Sequence, residues 1–403
     1  MFEVDSFIKQ YVTRRNESLF KPDLDDFRDA VSTGISGKSV CVIGGAGSIG
    51  SQFIKSLLPF KPAKLVVVDL NENGLTELTR DLRSTYGMYV PDDYRTYTID
   101  FVGSVFERIF NEEKGFDIVA NFSAHKHVRS EKDRYSVEAL IENNLFKAKR
   151  LLDLLSVYPP ERFFCVSTDK AANPVNVMGA SKRILEDLIM SYRDRFTVTT
   201  ARFANVAFSN GSLLDGFVYR LSKRQPLAAP NDVKRYFVSP EESGQICLMA
   251  CMLGKSGEIF FPRLEKESML TFSEICDRFL EANGLIKKEF SSEEEARRFA
   301  TENRDEGQAC YPVCYTKSDT TGEKSYEEFY VDGETVDFSR FSSLGVITDS
   351  PRKSGKEVCS LLDELEMIFK TPSFTKQEVV GCLSTYLPNF HHEETGLNLD
   401  QKM

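Results

Sequence analysis

The sequence predicts an α/β protein with a doubly wound parallel sheet and a smaller C-terminal substrate-binding lobe, and three observations carry this. Short β-rich runs alternate with longer helical stretches through the first half of the chain: SVCVIGG, KLVVVDL, YRTYTID, DIVANFS, RFFCVST and FTVTTARF. Such alternation is the pattern of repeated βαβ units. A glycine-rich turn, Gly44-Gly45-Ala46-Gly47-Ser48-Ile49-Gly50, follows the first run and opens a helical pattern, and Asp69 closes the second run. From about residue 206 the alternation loosens, punctuated by Pro226, Pro230, Pro240 and Pro262, where the second lobe begins.

Taken in order, residues 1–36 are expected as a helical extension, 37–205 as a Rossmann-like dinucleotide-binding domain, 206–330 as the smaller lobe and 331–403 as a C-terminal extension. In the turn, Gly44-x-x-Gly47-x-x-Gly50 allows close backbone approach, so that a pyrophosphate sits on the free N–H groups of the helix opened by Ser48 and Ile49. Asp69 lies 19 residues after Gly50, where a carboxylate accepts from the hydroxyls of an adenosine ribose. It would repel a 2′-phosphate by about 4 kcal/mol for unit charges ~4 Å apart at an effective dielectric of 20. NAD is therefore the expected cofactor, in preference to NADP. Asp100, ending the third run, is a candidate for the adenine amino group or simply a loop acid. Residues 292–306, SEEEARRFATENRDE, read as a charged surface helix, and the chain after about 385 is polar enough to fray.

In sheets of this kind ligands bind beyond the carboxyl ends of the strands. Ser123, Ala124 and Lys126 follow the fourth run there, and Thr168, Asp169 and Lys170 follow the fifth. Met178 and Lys182 are four apart, so a helix puts them on one face; a core methionine has the same spacing.

Composition narrows the function classes. A chain of 403 residues, 41% hydrophobic, can bury a full core. Lysine and arginine total 51 against 61 acids, a net charge of −10, which argues against general affinity for nucleic acid or anionic membrane. The apolar runs are strand-length and the start, MFEVDSFIKQ, lacks a signal pattern; a cytoplasmic protein is expected. Nine scattered cysteines suit reduced core thiols. Neither Cys310-x-x-x-Cys314 nor His391-His392 has a second ligand pair nearby, so no metal site is expected.

The segments GKSVCVIGGAGSIGSQ, VVVDLNENGL, FSAHKHV, STDKAANPVNVMGASK, RFANV, KRYF, GEIF and TTGEKSYEEF occur in the order seen in nucleotide-sugar 4,6-dehydratases of bacterial polysaccharide biosynthesis, extended short-chain dehydrogenase/reductases. Over roughly residues 18 to 330 the chain resembles a soluble UDP-N-acetylglucosamine 4,6-dehydratase. Thr168-Asp169-Lys170 followed by Met178 and Lys182 resembles the subgroup in which methionine replaces the tyrosine of Tyr-x-x-x-Lys, a subgroup linked to retention of configuration at sugar carbon 5. Thr320-Thr321 and Asn210 stand where relatives carry Arg-Pro and Arg.

The resemblance implies three acts: hydride leaves carbon 4 for NAD, water is lost across carbons 5 and 6, and hydride returns to carbon 6. Lys170, neutralised by burial and by neighbouring Lys182, is the expected base at carbon 5. Asp169, its acidity weakened by an apolar wall, is the expected acid at the 6-hydroxyl. Lys182 binds the nicotinamide ribose. Methionine cannot pass a proton, so the 4-hydroxyl proton goes to Thr168, relayed toward Lys182, or to an ionised Asp169. Around the UDP moiety the matching positions are Asn205, Lys234, Arg235 and Glu323, with Arg235 suited to a bidentate phosphate contact and Glu323 to the uridine ribose. Lys126 is placed for substrate contact, while His125 and His127 pack or cap. A homo-oligomer is expected. A nucleotide-sugar epimerase would share the cofactor site and omit elimination; a non-catalytic NAD-sensing scaffold would need neither Lys182 nor the Thr-Asp-Lys set.

Overall fold

The computed structural model describes residues 2–127, 131–303, 309–318 and 327–392. Five strands alternate with helices from the first glycine turn onward: β1 (Ser39–Ile43), β2 (Lys64–Asp69), β3 (Asp93–Thr98), β4 (Ile118–Asn121) and β5 (Arg162–Val166), followed by β6 (Thr197–Ala201). β1, β4 and β5 are nearly continuous buried runs, as a parallel sheet covered on both faces requires. β3, DYRTYT, is never fully buried because it closes one edge of the sheet. Seven further strands lie in the middle of the chain: β7 (Asn205–Val206), β8 (Leu227–Pro230), β9 (Lys234–Arg235), β10 (Phe237–Val238), β11 (Ile259–Pro262), β12 (Leu270–Thr271) and β13 (Ile286–Phe290). The last three are β14 (Cys310–Thr316), β15 (Thr335–Asp337) and β16 (Leu344–Asp349).

Among the described residues the main sheet has nine strands in the order β15-β16-β11-β6-β5-β4-β1-β2-β3. From β3 to β11 all neighbours are parallel; β16 then runs antiparallel to β11, and β15 antiparallel to β16. The order 3-2-1-4-5-6 is that of a Rossmann-like sheet, and it reverses between β1 and β4, so the ligand crevice is expected beyond their carboxyl ends. The sheet runs across both later boundaries drawn from sequence: β11 lies within 206–330 and β15 and β16 within 331–403, yet all three extend it. Proline-punctuated sequence hid β11, because a four-residue buried strand bounded by Pro262 has too short a period to recognise.

The smaller lobe is built on the parallel sheet β13-β14-β8. Leu214, Phe217, Ile275, Phe279 and Val313 form its core, separate from that of the main sheet. The N-terminal extension is helical and reaches both cores: Phe7, Ile8 and Val12 enter the lobe's, while Phe20, Val31 and Ile35 enter the sheet's. Between them Arg15 pairs with Glu242 at 2.8 Å.

The charged surface helix is present as Glu293–Glu302. The expected fraying after 385 does not begin there: helix Lys376–Tyr386 is followed by Phe390, 2% exposed and packed into the main core. One buried aromatic outweighs several polar neighbours in fixing a terminus. Among the described residues no helix is long and apolar enough to cross a membrane.

Candidate active site

The glycine turn is dictated by contacts that leave no room for side chains. Gly44, at the end of β1, has φ +73°, and a Cβ there would lie 2.7 Å from the Ser123 nitrogen and 2.8 Å from the Phe122 carbonyl carbon. A Cβ on Gly50 would lie 2.4 Å from the Gly44 oxygen. The first glycine thus lets β1 turn against the chain leaving β4, and the third lets helix Ser48–Leu57 sit down on that turn. Gly47, the N-cap of that helix, meets only the Gly44 oxygen, at 3.4 Å, leaving an open approach to the helix N-terminus where a pyrophosphate would bind.

Asp69 accepts from the Ala46 N–H at 3.0 Å and the Asn71 N–H at 2.9 Å. Each oxygen keeps a lone pair for a ribose hydroxyl, so the residue that locks the turn can also read the sugar. Ser48 Oγ accepts from the Asn210 N–H at 2.8 Å, and Lys126 Nζ donates to the Asn210 carbonyl at 3.0 Å. The loop after β7 is thereby tied over the glycine helix. Ile49 packs against the main core. Asp100 is ion-paired with Lys147 and accepts from the Val102 N–H at 3.2 Å, so an adenine amino group would share it with an ammonium.

The chemical end lies beyond β5. Thr168 Oγ1 donates to Asp169 Oδ1 at 2.7 Å, and Lys170 Nζ contacts both Asp169 oxygens at 3.2 and 3.4 Å. Asn176 caps helix Val177–Met190, which carries Met178, 2% exposed, and Lys182, 3% exposed, one turn apart. Met178 is a wall in the core, with nothing to donate. Lys182 Nζ donates to the Val166 carbonyl at 3.2 Å, and burial pushes its ammonium below the usual lysine range. Two of its three hydrogens remain for a ribose.

Lys170 departs from expectation. Burial alone would lower its ammonium, yet the negative charges of Asp169 and Glu327 outweigh burial and hold it above the usual range. The cation opposing it is Arg235, where the sequence reading placed Lys182. Lys170 is thus a cation in the resting site.

Of the nucleotide-end residues, Arg235 is buried and Lys234 is exposed, because successive residues of β9 face opposite sides. Arg235 NH1 donates to the Lys234 carbonyl at 3.0 Å, and its Nε lies 3.8 Å from Glu327 Oε1. The Asn205 side chain donates to the same Glu327 oxygen. Glu323, with Thr320 and Thr321, falls outside the described residues.

Sequence reasoning missed two residues. Asn144, buried in a π-helical turn, accepts from the His125 N–H at 2.9 Å and donates to the His125 carbonyl and Ser181 Oγ, both at 3.1 Å. It ties the loop after β4 to the Met178 helix, and such turns are frequent at functional sites. Glu327 is buried between β9 and the Asp169 turn. In the run SYEEF nothing distinguished it from its neighbour Glu328.

A family profile described as polysaccharide biosynthesis protein matches residues 40–347. The chain belongs to this family. Members of this polysaccharide-biosynthesis family similar to the chain include the capsular polysaccharide biosynthesis protein CapD of Staphylococcus aureus, 27% identical over 74% of this chain and 49% of that protein. An inverting UDP-N-acetylglucosamine 4,6-dehydratase of Campylobacter jejuni is 28% identical over 57% of this chain and 68% of its own length. An uncharacterised membrane protein of Methanocaldococcus jannaschii is 33% identical over 59% of this chain and 70% of that protein. The chain thus spans about half the length of the CapD relative. Among solved structures, Pen from Bacillus thuringiensis superposes with a TM-score of 0.61 at 21% identity, covering 79% of this chain and 90% of that one. The dTDP-glucose 4,6-dehydratase DesIV of Streptomyces venezuelae gives 0.54 at 19% identity, over 72% and 87%. These two share the fold.

Proposed function

We propose that the chain is an NAD-dependent UDP-N-acetylglucosamine 4,6-dehydratase that retains configuration at carbon 5 and forms UDP-2-acetamido-2,6-dideoxy-4-hexulose. The observation that carries this reading is the chain of contacts Thr168 Oγ1 to Asp169 at 2.7 Å and Asp169 to Lys170 at 3.2 Å, a proton route standing where methionine has removed the usual one. The turn at Gly44, Gly47 and Gly50, with Asp69, would hold NAD, which would supply the hydride acceptor for carbon 4 and the hydride donor for carbon 6.

The residues do the rest. Thr168 accepts the 4-hydroxyl proton while passing its own to Asp169, consistent with the direction of its hydrogen bond. Asp169, now protonated, is the acid that releases the 6-hydroxyl as water, so the proton lost at oxygen 4 leaves on oxygen 6. Neutralising Asp169 also removes the nearest charge holding Lys170 cationic, and burial then favours the free amine. Lys170 takes the carbon 5 proton onto an amine whose other hydrogens have exchanged with solvent and returns one of the three to the same face, which retains configuration and lets solvent deuterium enter at carbon 5. Met178 seals the wall. Lys182 would donate to the nicotinamide ribose, and Lys126, Arg235, Asn205 and Lys234 would serve the nucleotide.

The NAD reading rests on Asp69 and the open helix N-terminus, supported by the NAD-bound dehydratase of similar fold. Incubation of the purified protein with UDP-N-acetylglucosamine in deuterium oxide tests the whole. The expected product is lighter by one water before exchange and carries deuterium at carbon 5. An isomer of unchanged mass would make it an epimerase, and no conversion with NAD bound would leave a sensing scaffold.

A further inference from the structure

The C-terminal extension reaches the helix that carries Met178 and Lys182 at three places. Tyr386, the last residue of helix Lys376–Tyr386, donates its hydroxyl to Asp187 Oδ2 at 3.2 Å. Arg183 donates to the Pro351 carbonyl at 2.7 Å. The third place is the helix start, nearest the chemistry. Val177 is the first residue of that helix, and its N–H, one of the donors a helix start leaves without an internal partner, goes to Glu131 Oε2 at 2.6 Å. The other oxygen of Glu131 faces His392, whose Nε2 stands 3.8 Å away, and the two side chains are only 4% and 5% exposed. Neither Glu131 Oε1 nor His392 Nε2 has a hydrogen-bond partner among the described residues. Phe390, its ring 6.0 Å from that of His392, seats this end of the chain in the main core.

The helix start depends on Glu131 because its local cap is already committed. Asn176 accepts from the Gly179 N–H at 2.7 Å through its side chain and from the Ala180 N–H at 2.9 Å through its carbonyl, which leaves Val177 to the carboxylate. A carboxylate suits a helix N-terminus, but burying it is costly while one oxygen lacks a partner. His392 faces that oxygen. Their separation exceeds a hydrogen bond but lies within reach of electrostatic attraction, which the dry interior strengthens. Met178 follows Val177 directly and Lys182 lies five residues on, so a shift of the first turn is carried to both.

We propose that His392 is a positioning residue: through Glu131 it fixes the first turn of the helix carrying Met178 and Lys182, making the C-terminal extension a brace for the chemical site. This deepens the dehydratase reading, on which the role of Lys182 rests.

The test compares His392→Phe, which keeps a ring beside Phe390 but removes the N–H, with His392→Gln, which offers an amide N–H near the place of Nε2. Hydrogen exchange, read by mass spectrometry on the full chain, is expected to quicken about fivefold at residues 177–182 in His392→Phe, as for a weakened cap, and to stay unchanged elsewhere. With NAD and UDP-N-acetylglucosamine the first hydride step, read as NADH absorbance, is expected to slow about tenfold. KM for the sugar should hold, since Arg235 and Asn205 lie on other elements. His392→Gln should restore both readouts. Faster exchange throughout the chain would mean a packing role and overturn the proposal, as would local loosening with an unchanged hydride step, no change in either readout, or a glutamine variant no better than phenylalanine. Should His392→Phe not fold, His392→Ala removes the side chain without adding bulk and makes the same comparison. A wild type that forms no product removes the dehydratase reading, and the brace is then decided by NAD affinity together with exchange: weaker binding in His392→Phe, restored in His392→Gln, supports it, and equal affinity overturns it.

Discussion

Thr168→Val tests the proton route most directly, because it exchanges a hydroxyl for a methyl of similar shape. The structure gives two things the hydroxyl does: it donates to Asp169 at 2.7 Å, and it accepts from the Lys170 N–H at 3.5 Å as cap of the short turn Asp169–Ala171. The cap contact is long, so its loss should lie at the low end of the 0.5–2 kcal/mol typical of such caps. The hydrogen bond to a carboxylate is worth about 1.5–3 kcal/mol, and some of this returns when a water or Lys170 replaces it. Folding should therefore survive. Chemistry should not, since the 4-hydroxyl loses its proton acceptor, and general acid–base contributions run to about 10²–10⁴-fold in rate. Stopped-flow NADH formation would show the loss at the first hydride step, and 4-deuterated UDP-N-acetylglucosamine would show a larger primary isotope effect than in the wild type. Thr168→Ser keeps the hydroxyl and should stay within about tenfold of wild type. Wild-type turnover by Thr168→Val, with the melting temperature unchanged, would refute the relay and leave direct transfer to Asp169.

Three further outcomes are expected. Asp69→Ser with Leu70→Arg should admit NADP, since Leu70 is 68% exposed and an arginine there replaces repulsion by attraction; because Asp69 also holds the Ala46 and Asn71 N–H groups, calorimetry should show some loss of stability, and unaltered NAD preference would refute the assignment. Met178→Leu keeps volume in a buried wall and should cost under about 1.5 kcal/mol with most activity retained, whereas loss of activity in a folded variant would give the sulfur a role. Arg202→Met removes the buried guanidinium paired with Glu186 at 2.7 Å and Glu334 at 2.8 Å and should cost roughly 3–5 kcal/mol in denaturant titration. Its partner Glu186 is held down to about 2, below an unfolded carboxyl, so this stability is present above about pH 4.5 and is lost as pH falls toward 2; the variant should lack that acid transition.

The parallel half of the fold was legible because β1, β2, β4, β5 and β6 are buried runs between helical stretches, several ending at a turn whose residues have one job. Gly44 tolerates no Cβ, and that requirement shows in the sequence as plainly as in the structure. The other edge was not legible. β11 and β15 are short, and the edge depends on β16 pairing with β11 far along the chain, which no local period reports.

The site divides in the same way. Thr168, Asp169 and Lys170 could be read from sequence since one strand end delivers them together, but the charge state of Lys170 could not. It depends on which ionised groups surround the amine: Glu327 lies 157 residues along the chain from Lys170, and Arg235 lies 65. Sequence suggested a lysine neutralised by a neighbouring cation; the structure instead surrounds it with two carboxylates that hold its proton. The consequence for mechanism is an order of events. If burial alone had neutralised Lys170, elimination could begin before oxidation. Under the proposed dehydratase mechanism, with Asp169 and Glu327 holding the proton, the base would be freed only after the 4-hydroxyl proton has reached Asp169, which would tie removal of the carbon 5 proton to prior formation of the ketone that acidifies it.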